Sequence, residues 1–262
     1  MRGIKIIIES AAITHVGLVR SNNEDNYYVN GKFKRDNTIS TEGYKDVTPR
    51  SAYLYAVCDG MGGEDFGEIA SMIAVATLAR YQDTDIRQTV MEYINKANDI
   101  ICGQIEKNDG VRGGTTIAIL YINGNKAISY NIGDTRVYLL RGEELYLLSE
   151  DHTEAERMVK MGLITSEEAK THKSKHKLTQ HLGIFPDELL IEPYVSVDVD
   201  IYKNDVFLVC SDGLTDMVSD DEIRVILSMQ DADTVQIAKK LSATAQTYGG
   251  KDNSTVVVVR AT

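Results

Sequence analysis

Residues 115–148 read TTIAILYINGNKAISYNIGDTRVYLLRGEELYLL, and this stretch decides the fold. β-Branched and aromatic residues dominate Thr115–Ile122, Lys126–Ile132, Arg136–Arg141 and Leu145–Leu148, the composition that suits a pleated strand. Asn123-Gly124-Asn125 and Arg141-Gly142-Glu143 between them are good hairpin loops. Four strands joined by such short links imply an antiparallel meander.

Similar strand-like runs lie outward on both sides, at Ile4–Ile8, Thr14–Leu18, Asn26–Val29, Tyr53–Cys58, Tyr194–Val199, Asp205–Cys210 and Thr255–Val259. Helical periodicity falls between these clusters. Phe66–Tyr81 carries Ile69, Met72, Ile73, Ala76 and Leu78 at helical spacing, and Thr84–Asn108 carries Ile86, Val90, Tyr93, Ile94, Ala97 and Ile101. Asp220–Met229 and Thr234–Thr247 read the same way. Two helices early, two late and strands on both sides give an α+β chain with helices packed outside antiparallel sheets. Gly31–Arg50 is polar and aperiodic, which reads as a surface loop or hairpin excursion. Asp151–Gly183 is rich in Lys, His, Glu and Thr, with short helical pieces at Glu154–Met161 and Ser166–Thr171. It holds His152, His172, His176 and His181, four of the five histidines. Their spacing is looser than that of a zinc site and no Cys joins them, so they read as part of a polar flap.

The chain has 262 residues, 43% of them hydrophobic, enough for one large domain with a substantial core. A formal net charge of -11 and the lack of a basic patch argue against nucleic acid as a partner. The three cysteines, Cys58, Cys102 and Cys210, are odd in number and form no CxxC pair, which argues for a reducing compartment. Cys58 and Cys210 sit inside apolar runs and read as core. Ile6-Ile7-Ile8 is too short for a signal peptide, and no apolar stretch approaches a membrane span. The expectation is a cytoplasmic protein with no membrane partner.

Four short runs at the ends of apolar stretches each deliver a carboxylate: Asn23-Glu24-Asp25, Cys58-Asp59-Gly60, Ser211-Asp212-Gly213 and Lys251-Asp252-Asn253. Bringing carboxylates together without a cation costs several kcal/mol in repulsion and desolvation. Hard divalent cations prefer all-oxygen sites. The expectation is a multi-metal hydrolytic centre built from Asp residues. Asp59 taken alone also reads as a cap at a strand-to-helix turn; Asp212 repeats the Asp-Gly pattern and weakens that reading. Arg20 lies just before Glu24 and Asp25. It reads either as a bidentate grip on a phosphate or as a surface salt bridge to one of those acids. Two metals about 3.5–4 Å apart would produce hydroxide at neutral pH for in-line attack on phosphorus. Other phosphatase chemistries are absent. A cysteine phosphatase needs Arg six residues after its Cys, and here those positions hold Glu64, Asn108 and Asp216. Asp198-Val199-Asp200 lies in an alternating strand and lacks the Thr of an aspartyl-nucleophile motif, and no GxxxxGK[ST] loop occurs.

Six motifs in order resemble the metal-dependent type 2C protein serine/threonine phosphatases, and their bacterial branch most closely. They are Arg20-Ser21-Asn22-Asn23-Glu24-Asp25, Val57-Cys58-Asp59-Gly60-Met61-Gly62-Gly63, Gly113-Gly114-Thr115-Thr116, Asn131-Ile132-Gly133-Asp134-Thr135-Arg136, Cys210-Ser211-Asp212-Gly213-Leu214 and Lys251-Asp252-Asn253-Ser254-Thr255. The resemblance runs from about Thr14 to Arg260. It implies a four-layer αββα sandwich, two antiparallel β-sheets flanked by helix pairs, and one catalytic domain over residues 1–262 with a variable flap at about 151–183. It also implies that Asp59 bridges two Mn²⁺ or Mg²⁺ ions, the Gly60 carbonyl binds the second, and Asp212 and Asp252 hold the first. Glu24 and Asp25 then support the site, and Arg20 binds the substrate phosphate. Asp134 matches a position for a third, weaker metal, and Asn253 a residue near the phosphate and its waters. The implied reaction is hydrolysis of phosphoserine and phosphothreonine by a metal-bridging hydroxide. The implied partners are phosphorylated proteins, a serine/threonine kinase among them. Departures are Met61 where many animal members have a general-acid His, Glu64 where bacterial relatives often have His, and Gln180 where many have Arg. A non-catalytic phosphoprotein-binding pseudophosphatase and a two-metal hydrolase acting on nucleotides are the rival readings.

Overall fold

The computed structural model describes residues 6–35, 40, 43–62, 66–108 and 111–262. In chain order the strands and helices begin with β1 (Ile8–His15), β2 (Asn26–Val29), β3 (Lys32–Phe33), β4 (Tyr44–Asp46), β5 (Ala52–Cys58), β6 (Gly60–Gly62), α1 (Phe66–Leu78) and α2 (Ile86–Lys107). There follow β7 (Gly113–Thr115), β8 (Ile117–Asn123), β9 (Lys126–Ile132), β10 (Arg136–Arg141), β11 (Glu144–Leu147), α3 (Glu154–Lys160) and α4 (Ser166–Thr171). The last are β12 (Tyr194–Val195), β13 (Val199–Asp200), β14 (Val206–Cys210), α5 (Asp212–Thr215), α6 (Asp220–Leu227), α7 (Thr234–Thr247) and β15 (Ser254–Ala261).

One sheet runs β11-β10-β14-β15-β1-β4; the other runs β12-β9-β8-β5-β2-β3, with β13 also on β9. Every pairing within these sheets is antiparallel. The period-2 geometry of a strand sorts its side chains into two cores. On β5, Leu54, Ala56 and Cys58 face α1 and α2, while Tyr53, Tyr55 and Val57 face the other sheet. On β14, Phe207 and Val209 enter the space between the sheets, whereas Val206, Leu208 and Cys210 pack under α6 and α7. Both faces of the central strands are therefore covered, which is why they read as continuous apolar runs. The result is the expected four-layer αββα sandwich. Cys58 and Cys210 are fully buried, and burial pushes both thiols up. Among the described residues no helix is long and apolar enough to cross a membrane.

The stretch 115–148 does form antiparallel strands, but not one meander. β8 and β9 form a hairpin in one sheet; β10 and β11 form a hairpin in the other. The chain changes sheet at Gly133-Asp134-Thr135. Gly133 has φ +96°, and a Cβ there would lie 2.5 Å from Thr116 Cγ2, so only glycine fits the crossing. The runs Ile4–Ile8 and Thr14–Leu18 are joined at their inner ends by one strand: β1 spans Ile8–His15 and passes through Ser10, with Ala11, Ala12 and Ile13 buried. Part of the Gly31–Arg50 excursion returns as β4, an edge strand on β1. Residues 1–5, at the start of the first run, and Glu64 with Gly63 lie outside the described residues.

Candidate active site

Register brings the acids together. In one sheet Asn26 pairs with Cys58, so one step further along the same register sets Asp25 opposite Asp59. In the other sheet Arg136 pairs with Cys210, and two steps further sets Asp134 opposite Asp212. β14 also pairs with β15, and Asp252 lies two residues before the first residue of β15. The two sheets pack face to face, so these strand ends open on one shared cleft.

The electrostatics show how poorly these groups tolerate one another. Asp25 is fully buried. Burial, together with the charges of Asp212 and Asp252, pushes its carboxyl up to about 7, against the opposing bond from Ser211. Ser211 Oγ donates to its Oδ2 at 2.7 Å, while its Oδ1 is buried with no hydrogen-bond partner. Burial and the charges of Asp25, Asp212 and Asp134 push Asp59 well above the carboxylate range. Burial, then Asp212 and Asp151, does the same to Asp134. Asp212 is the exception: burial acts to raise it, but hydrogen bonds from His176 and from Asp59 outweigh that and hold it low.

Backbone contacts fix Asp59. Its carbonyl accepts from Thr115 Oγ1 and from the Thr116 amide, each at 2.9 Å, and its amide donates to Thr116 Oγ1 at 3.1 Å. Gly60 follows in β6, paired with Thr115, and a Cβ there would lie 2.2 Å from the Gly67 carbonyl oxygen. That close approach presses the start of α1 and the Glu24 backbone against the Asp59-Gly60 turn. Ser71 Oγ donates to the Glu24 carbonyl at 2.6 Å.

Arg20 sits at the cleft but not on Glu24 or Asp25. Its Nη2 bonds Asp252 Oδ2 at 2.7 Å, and both side chains are substantially exposed. Asn253, expected beside the phosphate, is differently employed. Its Nδ2 donates to the carbonyls of Val16 and Asn22, both at 2.8 Å, and its Oδ1 accepts from the Glu24 amide at 2.8 Å. With both amide hydrogens so used and the side chain 5% exposed, Asn253 pins the loop that carries Arg20 and Glu24. Asp198 and Asp200 lie away from the site, in ion pairs with Arg87 and Lys126.

One residue at the site escapes sequence reasoning. His176 Nδ1 lies 3.5 Å from Asp212 Oδ2, and its Nε2 lies 3.3 Å from Asp216 Oδ2. Neither its spacing nor its neighbours in sequence mark it out; the only signal is four histidines in one polar segment. The other three are structural. His152 is buried, its burial holds the ring below its ordinary pKa, and its Nδ1 accepts from the Gly133 amide at 3.4 Å. His172 Nδ1 accepts from the Ser174 amide at 3.2 Å, and the His181 ring lies against the Leu182 carbonyl.

The donors fit a cation pair. Burial first, and neighbouring carboxylates second, drive Asp25, Asp59 and Asp134 toward protonation, one buried carboxylate oxygen lacks a partner, and the donor set near Asp59 is all oxygen. Hard divalent cations such as Mg²⁺ and Mn²⁺ relieve that repulsion.

The model of the protein phosphatase 2C family matches residues 19–254. Protein phosphatase PhpP of Streptococcus pneumoniae is 35% identical over 262 residues, 96% of this chain and 97% of that protein. Serine/threonine protein phosphatase PstP of Mycobacterium tuberculosis is 33% identical over 263 residues, 98% of this chain, while the chain spans only 46% of PstP. A crystal structure of the PstP catalytic domain in complex with 2 manganese ions superposes with a TM-score of 0.78 at 31% identity, covering 98% of this chain and 99% of that one.

Proposed function

Because the chain belongs to the protein phosphatase 2C family, we propose that it is a metal-dependent protein serine/threonine phosphatase that hydrolyses phosphoserine and phosphothreonine. The observation that carries this reading is the convergence of Asp25, Asp59, Asp134 and Asp212 from the ends of both sheets, with three of them held toward protonation by burial and by one another. Such a set is unfavourable unless its charge is offset.

Asp59, the Gly60 carbonyl, Asp212 and Asp252 would hold two Mn²⁺ or Mg²⁺ ions, with Glu24 and Asp25 supporting them and Asp134 serving a third. Bound there, the cations supply neutralisation of the phosphoryl oxygens and an acidified water as nucleophile. The protein's own groups do the rest. Arg20 has five guanidinium donors and its contact with Asp252 engages only Nη2, which leaves others to grip a phosphoryl group. Asn253 keeps Arg20 within reach by bonding the loop at Val16, Asn22 and Glu24. Asp25 takes the Ser211 hydroxyl and so orients the turn that presents Asp212.

Residues 1–262 act as one catalytic domain, with about 151–183 as the flap over the cleft. The substrates are phosphorylated proteins of the cytoplasm, a serine/threonine kinase among them, which places the enzyme in signal transduction. Release of phosphate from a phosphothreonine peptide, compared with a phosphodiester, tests the substrate class. Hydrolysis of the diester alone would sink it in favour of a nucleotide hydrolase.

A further inference from the structure

Resting on the metal-centre reading above, we infer that His176 is a nitrogen ligand for the cation held by Asp134 and Asp212, so that filling this site fixes the flap over the carboxylates. A donor atom from each of Asp134, His176 and Asp212 lies within 4.8 Å of the others, close to twice a typical metal–ligand bond. Asp134 is nine-tenths buried, and among the described residues no other side chain donates to its carboxylate. It faces the cluster from the sheet crossing, where His152 holds the Gly133 carbonyl through its own amide at 2.9 Å.

The flap delivers His176 by its covalent layout. Its two ends are tied down: Thr153 bridges to Leu178, and Leu182 to Thr115. Between them Lys175 Nζ anchors to Asp216 Oδ1 at 3.0 Å, one residue before His176. A plain His–Asp ion pair is the simpler account of the contacts at 3.3 and 3.5 Å, but Asp216 already has Lys175, and that account gives the buried Asp134 carboxyl, which its own backbone amide bonds, no part in the cluster. A mixed nitrogen and oxygen set favours Mn²⁺ over Mg²⁺, which prefers oxygen ligands in strict octahedral geometry.

The test is calorimetric titration of Mn²⁺ and of Mg²⁺ into the metal-free full chain, its His176→Ala variant and its Asp134→Asn variant. Trypsin cleavage after Lys173, Lys175 and Lys177 is followed in parallel. The expected result is a weakest Mn²⁺ step whose Kd rises about tenfold or more in His176→Ala, and which is lost in Asp134→Asn. Mn²⁺ should protect the three lysines in the wild type and not in His176→Ala, with Mg²⁺ protecting them less. Retention of the two tighter steps shows that the variants are folded. If His176→Ala keeps both the weakest step and the protection, the inference fails while the phosphatase reading stands. If the wild type takes up no Mn²⁺ at all, both fail.

Discussion

At Asp212 two demands meet: burial acts to raise its carboxyl, and hydrogen bonds from His176 and Asp59 outweigh that and hold it low. Replacing it with Asn keeps the shape and removes the charge. Turnover of Asp212→Asn should fall at least ~100-fold, the scale for losing a group that stabilises transition-state charge. The metal-free protein should keep its fold, because one repelling charge has gone. Near wild-type turnover would contradict the metal assignment. Arg20→Ala should act differently, since Arg20 lies at the surface of the cleft and, among the described residues, its side chain bonds Asp252 alone. Loss of a charge-assisted contact to phosphate is worth about 1.5–3 kcal/mol, so KM should rise about 10- to 100-fold with a smaller change in kcat. An unchanged KM and kcat would remove Arg20 from phosphate binding.

At the scale of elements, capping explains why α6 begins where it does. Ser219 Oγ accepts from the Glu222 amide while Glu222 reaches back to the Ser219 amide, a reciprocal capping box. Ser219→Ala should cost about 1 kcal/mol and lower Tm by roughly 2–4 °C, with activity unchanged because α6 lies on the outer layer. Signals of this local kind are what the sequence makes legible: α7 starts and stops at the residues its periodicity marks, and β9 and β10 match their apolar runs. Sheet membership is different. β8, β9 and β10 are buried on both faces, so no alternation tells which sheet each joins, and the meander expectation failed at Gly133 for that reason. Asp25, Asp59, Asp212 and Asp252 are legible because each lies at or within a few residues of the end of an apolar run, whereas Asp134 is marked only by the family motif. The engagement of Asn253 with three backbone groups and the arrival of His176 beside Asp212 were not, because both depend on contacts between segments far apart in the chain.

Across the whole molecule, the cleft carboxyls make stability depend on metal and pH together. Asp25, Asp59 and Asp134 are raised above their unfolded values, so the folded metal-free chain binds more protons than the unfolded one at neutral pH. Their favourable contribution is present at acid pH and is lost as pH rises through the folded values, which for Asp25 is about 7. Glu9 is lowered, as hydrogen bonds from Thr234 and Lys45 outweigh its burial, and works in the opposite sense in a lower window. The Tm of EDTA-treated protein should therefore drop between about pH 5 and 8, and saturating Mn²⁺ should raise it and flatten that slope. A Tm that climbs over this range without metal would contradict the electrostatics of the cleft. The most direct test of the phosphatase account is phosphate release from a phosphothreonine peptide by the folded chain, with Mn²⁺ titrated against EDTA. The account requires release that follows Mn²⁺ and vanishes with EDTA. Release indifferent to metal, or none at any Mn²⁺ level, would contradict it.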